Sequence, residues 1–320
     1  MIRSDPSSAL SQRATLTGLH LHVCDYSASY NRVIDFATSS SAMSQVSAET
    51  NPVLLSHLSI KPENGTTFLL LHGAFSSKET WKPVHRHLEQ YHLLIPTLPG
   101  HQEAANSPGI GELTLINTSK LLSDLVRAKA HNGSAHVVGH SFGANVALHF
   151  ASHHPTQILS VFVAGTAGFI RSSITPYALW LDGILSYAMP KSLVEYLIDA
   201  DPSLHGTETF GGLRSITLCT SISNILAIPI EDEQLIPATA KQAFRDKGIR
   251  ILAAAATKKG VLPTNDNVER AKSVAERLGG VAAEVPTMRH AWFLQDPDLF
   301  AKAVIAWAEG TDLPEEINLL

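Results

Sequence analysis

The sequence is poor in cysteine, in charge and in long apolar segments, and each shortage excludes a class of protein. Its 320 residues include two cysteines, Cys24 and Cys219, which cannot form a disulfide framework and match no metal-binding spacing. Charged residues are 17% of the chain and the net charge is −5, so no basic stripe suggests a nucleic acid partner. The longest apolar stretch, residues 158–170, is too short and interrupted to span a bilayer.

What the chain does contain is enough apolar material for a large core. Apolar residues make up 44% of it, which is close to the value for globular proteins. The N-terminal residues lack the apolar run of a signal peptide. We therefore expect a soluble, cytoplasmic protein with no membrane span, and the sequence leaves its oligomeric state open.

From residue 66 onward, short apolar runs alternate with segments of helical length. Runs typical of buried parallel strands cover residues 68–71, 92–95, 136–138, 159–163 and 249–254. Segments of helical length separate most of them, and parallel strands need such crossovers. The pattern predicts an α/β protein with a doubly wound, mostly parallel sheet.

The alternation stops between residues 166 and 247. This stretch is helix-like and rich in large apolar side chains, among them Tyr177 and Trp180. We interpret it as a helical lid inserted before the late strands of a core formed by residues 1–165 and 248–320. The alternative is extra packing on the flank of the sheet.

The strongest chemical signal is Gly139-His140-Ser141-Phe142-Gly143, which follows a predicted strand and opens a helix of small residues. This is G-x-S-x-G in the strand–turn–helix setting that exposes a serine nucleophile. The N-terminus of the helix then offers N–H groups and positive dipole to a developing oxyanion. Ser141 is the predicted nucleophile.

Two further segments complete a predicted site. A strand ends in His72-Gly73, where glycine allows the N–H of Ala74 to face the serine and to form an oxyanion hole with the N–H of Phe142. Late in the chain, His290 follows the apolar run 281–285, which predicts a loop at the carboxyl edge of the sheet.

Together with Pro99-Gly100-His101, these motifs resemble the α/β-hydrolase superfamily over about residues 53 to 310. The resemblance implies the α/β-hydrolase fold, Ser141 as nucleophile, His290 as base, and the N–H groups of Ala74 and Phe142 as oxyanion donors. It implies neither a cofactor nor a metal.

The acid of a catalytic triad is missing from its usual place. In the superfamily it follows the strand predicted at 249–254, about four residues before a proline, where this chain has Lys259. Asp266 is the candidate we retain, although an aspartate there could simply cap the next helix. Asn265 and the carboxylates at 231–233 are other candidates, and the remaining alternative is a Ser–His dyad without a carboxylate.

Large side chains beside these motifs and in the lid predict the contacts of a lipophilic substrate. The predicted substrate contacts are Phe75, His140, Tyr177, Trp180 and Trp292, with core packing as the alternative for His140.

The function predicted is serine-dependent hydrolysis of a lipophilic ester, lactone or polyketide-like molecule. One alternative keeps the fold for epoxide opening, cyclisation or C–C cleavage, as in hydrolase-like proteins of fungal secondary-metabolite pathways, and the missing acid favours it. A second alternative is a hydrolase-fold protein that only binds a ligand.

Overall fold

Within the residues that the computed structural model describes, eight strands form one sheet. The structure describes residues 52–74, 76–166, 190–201, 235–259 and 266–320. The strands are β1 (His57–Ile60), β2 (Thr67–Leu71), β3 (His92–Pro96), β4 (Ala135–His140), β5 (Ile158–Ala164), β6 (Arg250–Ala256), β7 (Val281–Val285) and β8 (Asn318–Leu319).

The sheet has the order β1-β3-β2-β4-β5-β6-β7-β8 and is mostly parallel. Only the two edge strands, β1 against β3 and β8 against β7, run antiparallel among the pairings described. The chain runs from β2 outward to β3 and then crosses back to β4, so the order reverses between β2 and β4. In open α/β sheets, ligands bind outside the carboxyl ends of the strands at such a reversal.

The strands are apolar on both faces because helices cover both faces. In β2, Leu69 and Leu71 face one core, while Phe68 and Leu70 face the other. A strand buried on both sides has no polar alternation, which explains why these segments read as continuous apolar runs.

The helices form two layers around the sheet. One face is covered by α2 (Leu115–Lys129), α3 (Phe142–His153), α5 (Ala240–Lys247) and α6 (Val268–Leu278). The other is covered by α1 (Lys82–His85), α7 (Trp292–Gln295) and α8 (Pro297–Glu309). This confirms the predicted doubly wound α/β fold.

Most of the predicted lid lies outside the described residues. Within it, the structure describes α4 (Lys191–Ile198) and the stretch from residue 235 to the end of α5. Leu235, Ile236 and Phe244 are buried in the core on the α3 side of the sheet. The end of the predicted insertion therefore packs with the core, and a lid over the rest of 166–247 remains a prediction.

Candidate active site

Ser141 sits on a strained turn between β4 and α3. Its backbone has φ 56° and ψ −120°, a conformation that residues other than glycine rarely adopt. The Ser141 N–H donates to the carbonyl oxygen of Ala164 at 2.9 Å, which ties the turn to the end of β5. A Cβ at Gly143 would overlap the carbonyl oxygen of Leu71, so only glycine lets α3 begin this close to β2. This is the geometry that the G-x-S-x-G motif predicts.

His72 orients the loop that carries Ala74. Leu98 N–H donates to His72 Nε2 at 3.0 Å, so the ring proton lies on Nδ1, which is 2.8 Å from the carbonyl oxygen of Gly73. The C=O and N–H of a trans peptide point in opposite directions, so this bond turns the Ala74 N–H away from His72. Sequence reasoning recognised the His-Gly pair but not this role for the imidazole.

Burial keeps the His72 ring neutral. Burial first, and the neighbouring His101 second, lower the pKa of His72 from 6.5 to about 3. Neither Ala74 N–H nor Phe142 N–H donates to another residue in the described part of the chain. Gly73, which precedes Ala74, is close enough to the serine that a Cβ there would lie 3.3 Å from Ser141 Cβ.

His290 is paired with Asp266. The distance from His290 Nδ1 to Asp266 Oδ1 is 2.5 Å. The Asp266 side chain is only 5% exposed, whereas that of His290 is 34% exposed. A buried carboxylate therefore holds an imidazole that still reaches the surface of the site.

Two hydrogen bonds to Ala256 hold Asp266 at the end of β6. Asp266 Oδ2 accepts from the Ala256 N–H at 2.8 Å, and the Asp266 N–H donates to the Ala256 carbonyl at 2.7 Å. Asp266 therefore lies beside Ala256 although the two residues are ten positions apart in the sequence. The N-cap of α6 is Asn267, whose side chain accepts from the Arg270 N–H at 3.1 Å, so Asp266 does not cap this helix.

The expectation of a histidine without a carboxylate partner is wrong. The usual position of the acid holds Lys259, which is exposed, but Asp266 occupies the space beside His290 Nδ1. The other candidates, Asn265 and the carboxylates at 231–233, lie outside the described residues.

Gly165 leaves room for this pair, a role that no pattern in the sequence indicates. It follows β5 with φ 64°, and an ideal Cβ there would lie 2.7 Å from both Cε1 and Nδ1 of His290 and 3.1 Å from Asp266 Oδ1. A side chain at this position would displace the imidazole.

Two of the predicted substrate contacts are buried instead. Trp292 is fully buried in the core, with its ring 4.6 Å from that of Phe300, because α7 turns it away from the loop of His290. His140 is 5% exposed and hydrogen-bonded to protein. Both predictions of substrate contact are corrected accordingly. The predicted contacts Phe75, Tyr177 and Trp180 lie outside the described residues.

Comparisons with known proteins agree with the α/β architecture. A sequence model described as "Alpha/beta hydrolase family" matches residues 68–303. An "AB hydrolase superfamily protein" of Gibberella zeae is 30% identical over 262 residues, covering 80% of this chain and 84% of that protein. "Lipase 1" of Psychrobacter immobilis is 29% identical over 140 residues, 44% of this chain and 39% of the lipase. An esterase structure from Exiguobacterium antarcticum has a TM-score of 0.59 at 16% identity, covering 79% of this chain and 94% of that one.

The fold and the serine turn define an α/β-hydrolase. The chain belongs to the α/β-hydrolase family and is an enzyme of that class. No helix in the described ranges is both long and apolar enough to cross a membrane.

Proposed function

We propose that the protein hydrolyses a lipophilic ester through a catalytic triad of Ser141, His290 and Asp266. The observation that carries the proposal is the 2.5 Å hydrogen bond between His290 Nδ1 and the buried Asp266 carboxylate, next to a strained serine turn. A serine, a histidine and a carboxylate in these relations are the elements of acyl transfer.

The carboxylate sets the tautomer of the imidazole. Because Asp266 only accepts, His290 carries its proton on Nδ1 and leaves Nε2 free to accept the proton of Ser141 Oγ. The oxygen then bonds to the acyl carbon, and the carbonyl oxygen becomes an oxyanion. Asp266 stabilises the imidazolium ion that forms at the same moment.

The oxyanion accepts hydrogen bonds from the N–H groups of Ala74 and Phe142. Collapse of the tetrahedral intermediate breaks the ester bond, and the departing alkoxide takes the proton from His290. Water then attacks the acyl-enzyme with His290 again as base, which releases the acid and restores Ser141. Each preorganised donor typically contributes a factor of about 10² to 10³ in rate.

The relatives support an ester as the substrate. "Lipase 1" of Psychrobacter immobilis and "Monoacylglycerol lipase abhd6-A" of Xenopus laevis match 44% and 39% of this chain. Those matches cover only 39% and 37% of the relatives' own lengths. The relatives' substrates are therefore not transferred to this chain, and a lipophilic acyl group is proposed as the substrate. The predicted lid, with Tyr177 and Trp180, is also consistent with an apolar substrate.

The proposal is tested with p-nitrophenyl esters of increasing acyl length and with a fluorophosphonate that labels activated serines. Wild-type protein should be labelled and should turn over esters, and Ser141→Ala should lose about 10³-fold or more in kcat. Ser119→Ala is the matched control, because Ser119 Oγ lies 2.6 Å from His149 Nδ1 in a buried serine–histidine contact between α2 and α3. Ser141→Ala retaining more than about a tenth of the wild-type kcat would contradict the proposal.

The alternative of non-hydrolytic chemistry drew its support from the missing acid. Since Asp266 is hydrogen-bonded to His290, that support is gone. Labelling of Ser141 without turnover of any ester would restore the alternative, and absence of labelling would favour a binding protein.

A further inference from the structure

His140 is a buried histidine that the proposed mechanism does not use. It is the last residue of β4, directly before Ser141, and is 5% exposed. Its Nε2 lies 2.7 Å from the backbone carbonyl oxygen of His290. Its ring centroid is 4.6 Å from that of His290 and 4.6 Å from that of Phe293. One side chain therefore contacts both the ring and the backbone of the proposed base.

The hydrogen bond fixes the protonation of the His140 ring. A carbonyl oxygen only accepts, so Nε2 of His140 carries a proton and donates it. Burial holds the pKa of His140 well below its usual value, and the nearby His290 lowers it further, so the ring is neutral with a bare Nδ1. That nitrogen faces Gly73, where a Cβ would lie 3.4 Å from it. A neutral ring adds no positive charge that would oppose the imidazolium of His290.

We propose that His140 is a positioning residue that fixes the loop of His290 relative to Ser141. Its hydrogen bond joins the strand that carries the nucleophile to the backbone of the residue that takes the proton. The inference rests on the proposed function, because positioning matters only if His290 is the base. A displacement of about 1 Å in a reacting group can lower a rate about 10²-fold.

Two substitutions separate the hydrogen bond from the packing. His140→Phe keeps a ring against His290 and Phe293 but removes the donor, and we expect kcat to fall about 10² fold with KM little changed. His140→Gln restores an N–H at the position of Nε2 and should recover part of the lost kcat. The matched control is His136→Phe, since His136 lies on the same strand and has a 2.8 Å contact with Ser160 Oγ.

These variants give distinct outcomes once Ser141→Ala has been shown to be inactive. A folded His140→Phe enzyme with wild-type kcat would overturn the positioning role while leaving the proposed function intact. A loss of the same size in His136→Phe would also overturn it, because the effect would then be general destabilisation of β4. Activity in Ser141→Ala would instead refute the proposed function.

A spectroscopic test on the wild-type protein does not depend on turnover, and it uses a variant only to assign the signal. Nitrogen-15 labelling of histidine reports the tautomer of each ring by NMR. We expect the His140 ring to carry its proton on Nε2 and to stay neutral from about pH 6.5, the ordinary pKa of histidine, upward. His140→Gln should remove its signal and no other. A His140 ring protonated on Nδ1, or one that titrates in this range, would overturn the inference.

Discussion

A methyl group at Gly165 should disable the enzyme while leaving it folded. The ideal Cβ would lie 2.7 Å from Cε1 and Nδ1 of His290, and ordinary contact begins at 3.4 Å. The imidazole and the backbone must therefore separate by about 0.7 Å, close to the 1 Å misplacement that can cost about 10² in rate. The substitution Gly165→Ala should lower kcat by about that factor.

The same substitution has a second cost, which must be measured separately. Gly165 has φ 64°, and an L-residue in this left-handed region is disfavoured by about 1 to 2 kcal/mol relative to glycine. Gly248, at the end of α5, has φ 66° and nothing within 4 Å of its Cβ position. Gly248→Ala therefore carries the backbone strain without the contact to His290, and is the matched control.

The assay compares kcat for an aryl ester with the free energy of unfolding in urea. Both variants should lose about 1 to 2 kcal/mol of stability, and only Gly165→Ala should lose activity. Equal kcat in the two variants would refute the steric argument. A much larger loss of stability in Gly165→Ala would show that the clash strains the whole fold rather than moving the imidazole.

Three further predictions concern the acid and the buried histidines. Asp266→Asn should lower kcat by about 10⁴-fold, because the amide can donate an N–H to His290 Nδ1 and so favour the tautomer with the proton on Nε2. A loss below tenfold would exclude Asp266 from the triad. Lys259→Asp should leave ester hydrolysis unchanged, because the position beside His290 is already filled; a clear rise in kcat would contradict this. Burial lowers the pKa of His72 to about 3 and that of His101 to about 4, from an ordinary 6.5. The unfolded chain then binds their protons first, so the free energy of unfolding should fall as pH falls from 6.5 towards 4, by up to about 1.4 kcal/mol per pH unit for each histidine. Urea unfolding at several pH values should give a smaller slope for His101→Phe, and an unchanged slope would contradict the assignment.

The sheet was predictable because its signal is local. Residues 281–285 were predicted as a run and form β7 with the same bounds. The other central strands extend one or two residues beyond the apolar runs at one end or both, except that β6 begins one residue later. Edge strand β8 was missed, since two exposed residues carry no apolar pattern.

The serine turn was also predictable, whereas the hydrogen bond that places Asp266 beside His290 was not. Residues adjacent in sequence build the turn, so a motif describes it. The position of the carboxylate depends on two hydrogen bonds between Asp266 and Ala256, and neither spacing nor composition predicts such a pairing. The helix cap was a competing interpretation of Asp266, and Asn267 takes that role one residue later.

Proximity to a motif was a poor guide to which side chains reach the substrate. Trp292 is two residues from His290 but lies on α7, whose first turn faces Phe162 and Phe300 in the core. His140 precedes Ser141, and the alternation of side chains along a strand turns successive residues to opposite faces. Closeness in sequence therefore predicts which residues lie near His290 and Ser141, but not whether their side chains face the site or the core.

The contacts that position His290 come from distant parts of the sequence, so no local pattern predicts them. His290 follows β7. Its ring is hydrogen-bonded to Asp266 after β6, its backbone carbonyl accepts from His140 at the end of β4, and it lies against Gly165 after β5. Each contact joins the ends of two different strands, so it exists only when the parallel register of the sheet is correct. The order of strands, rather than any motif around His290, therefore determines where the proposed base stands relative to Ser141.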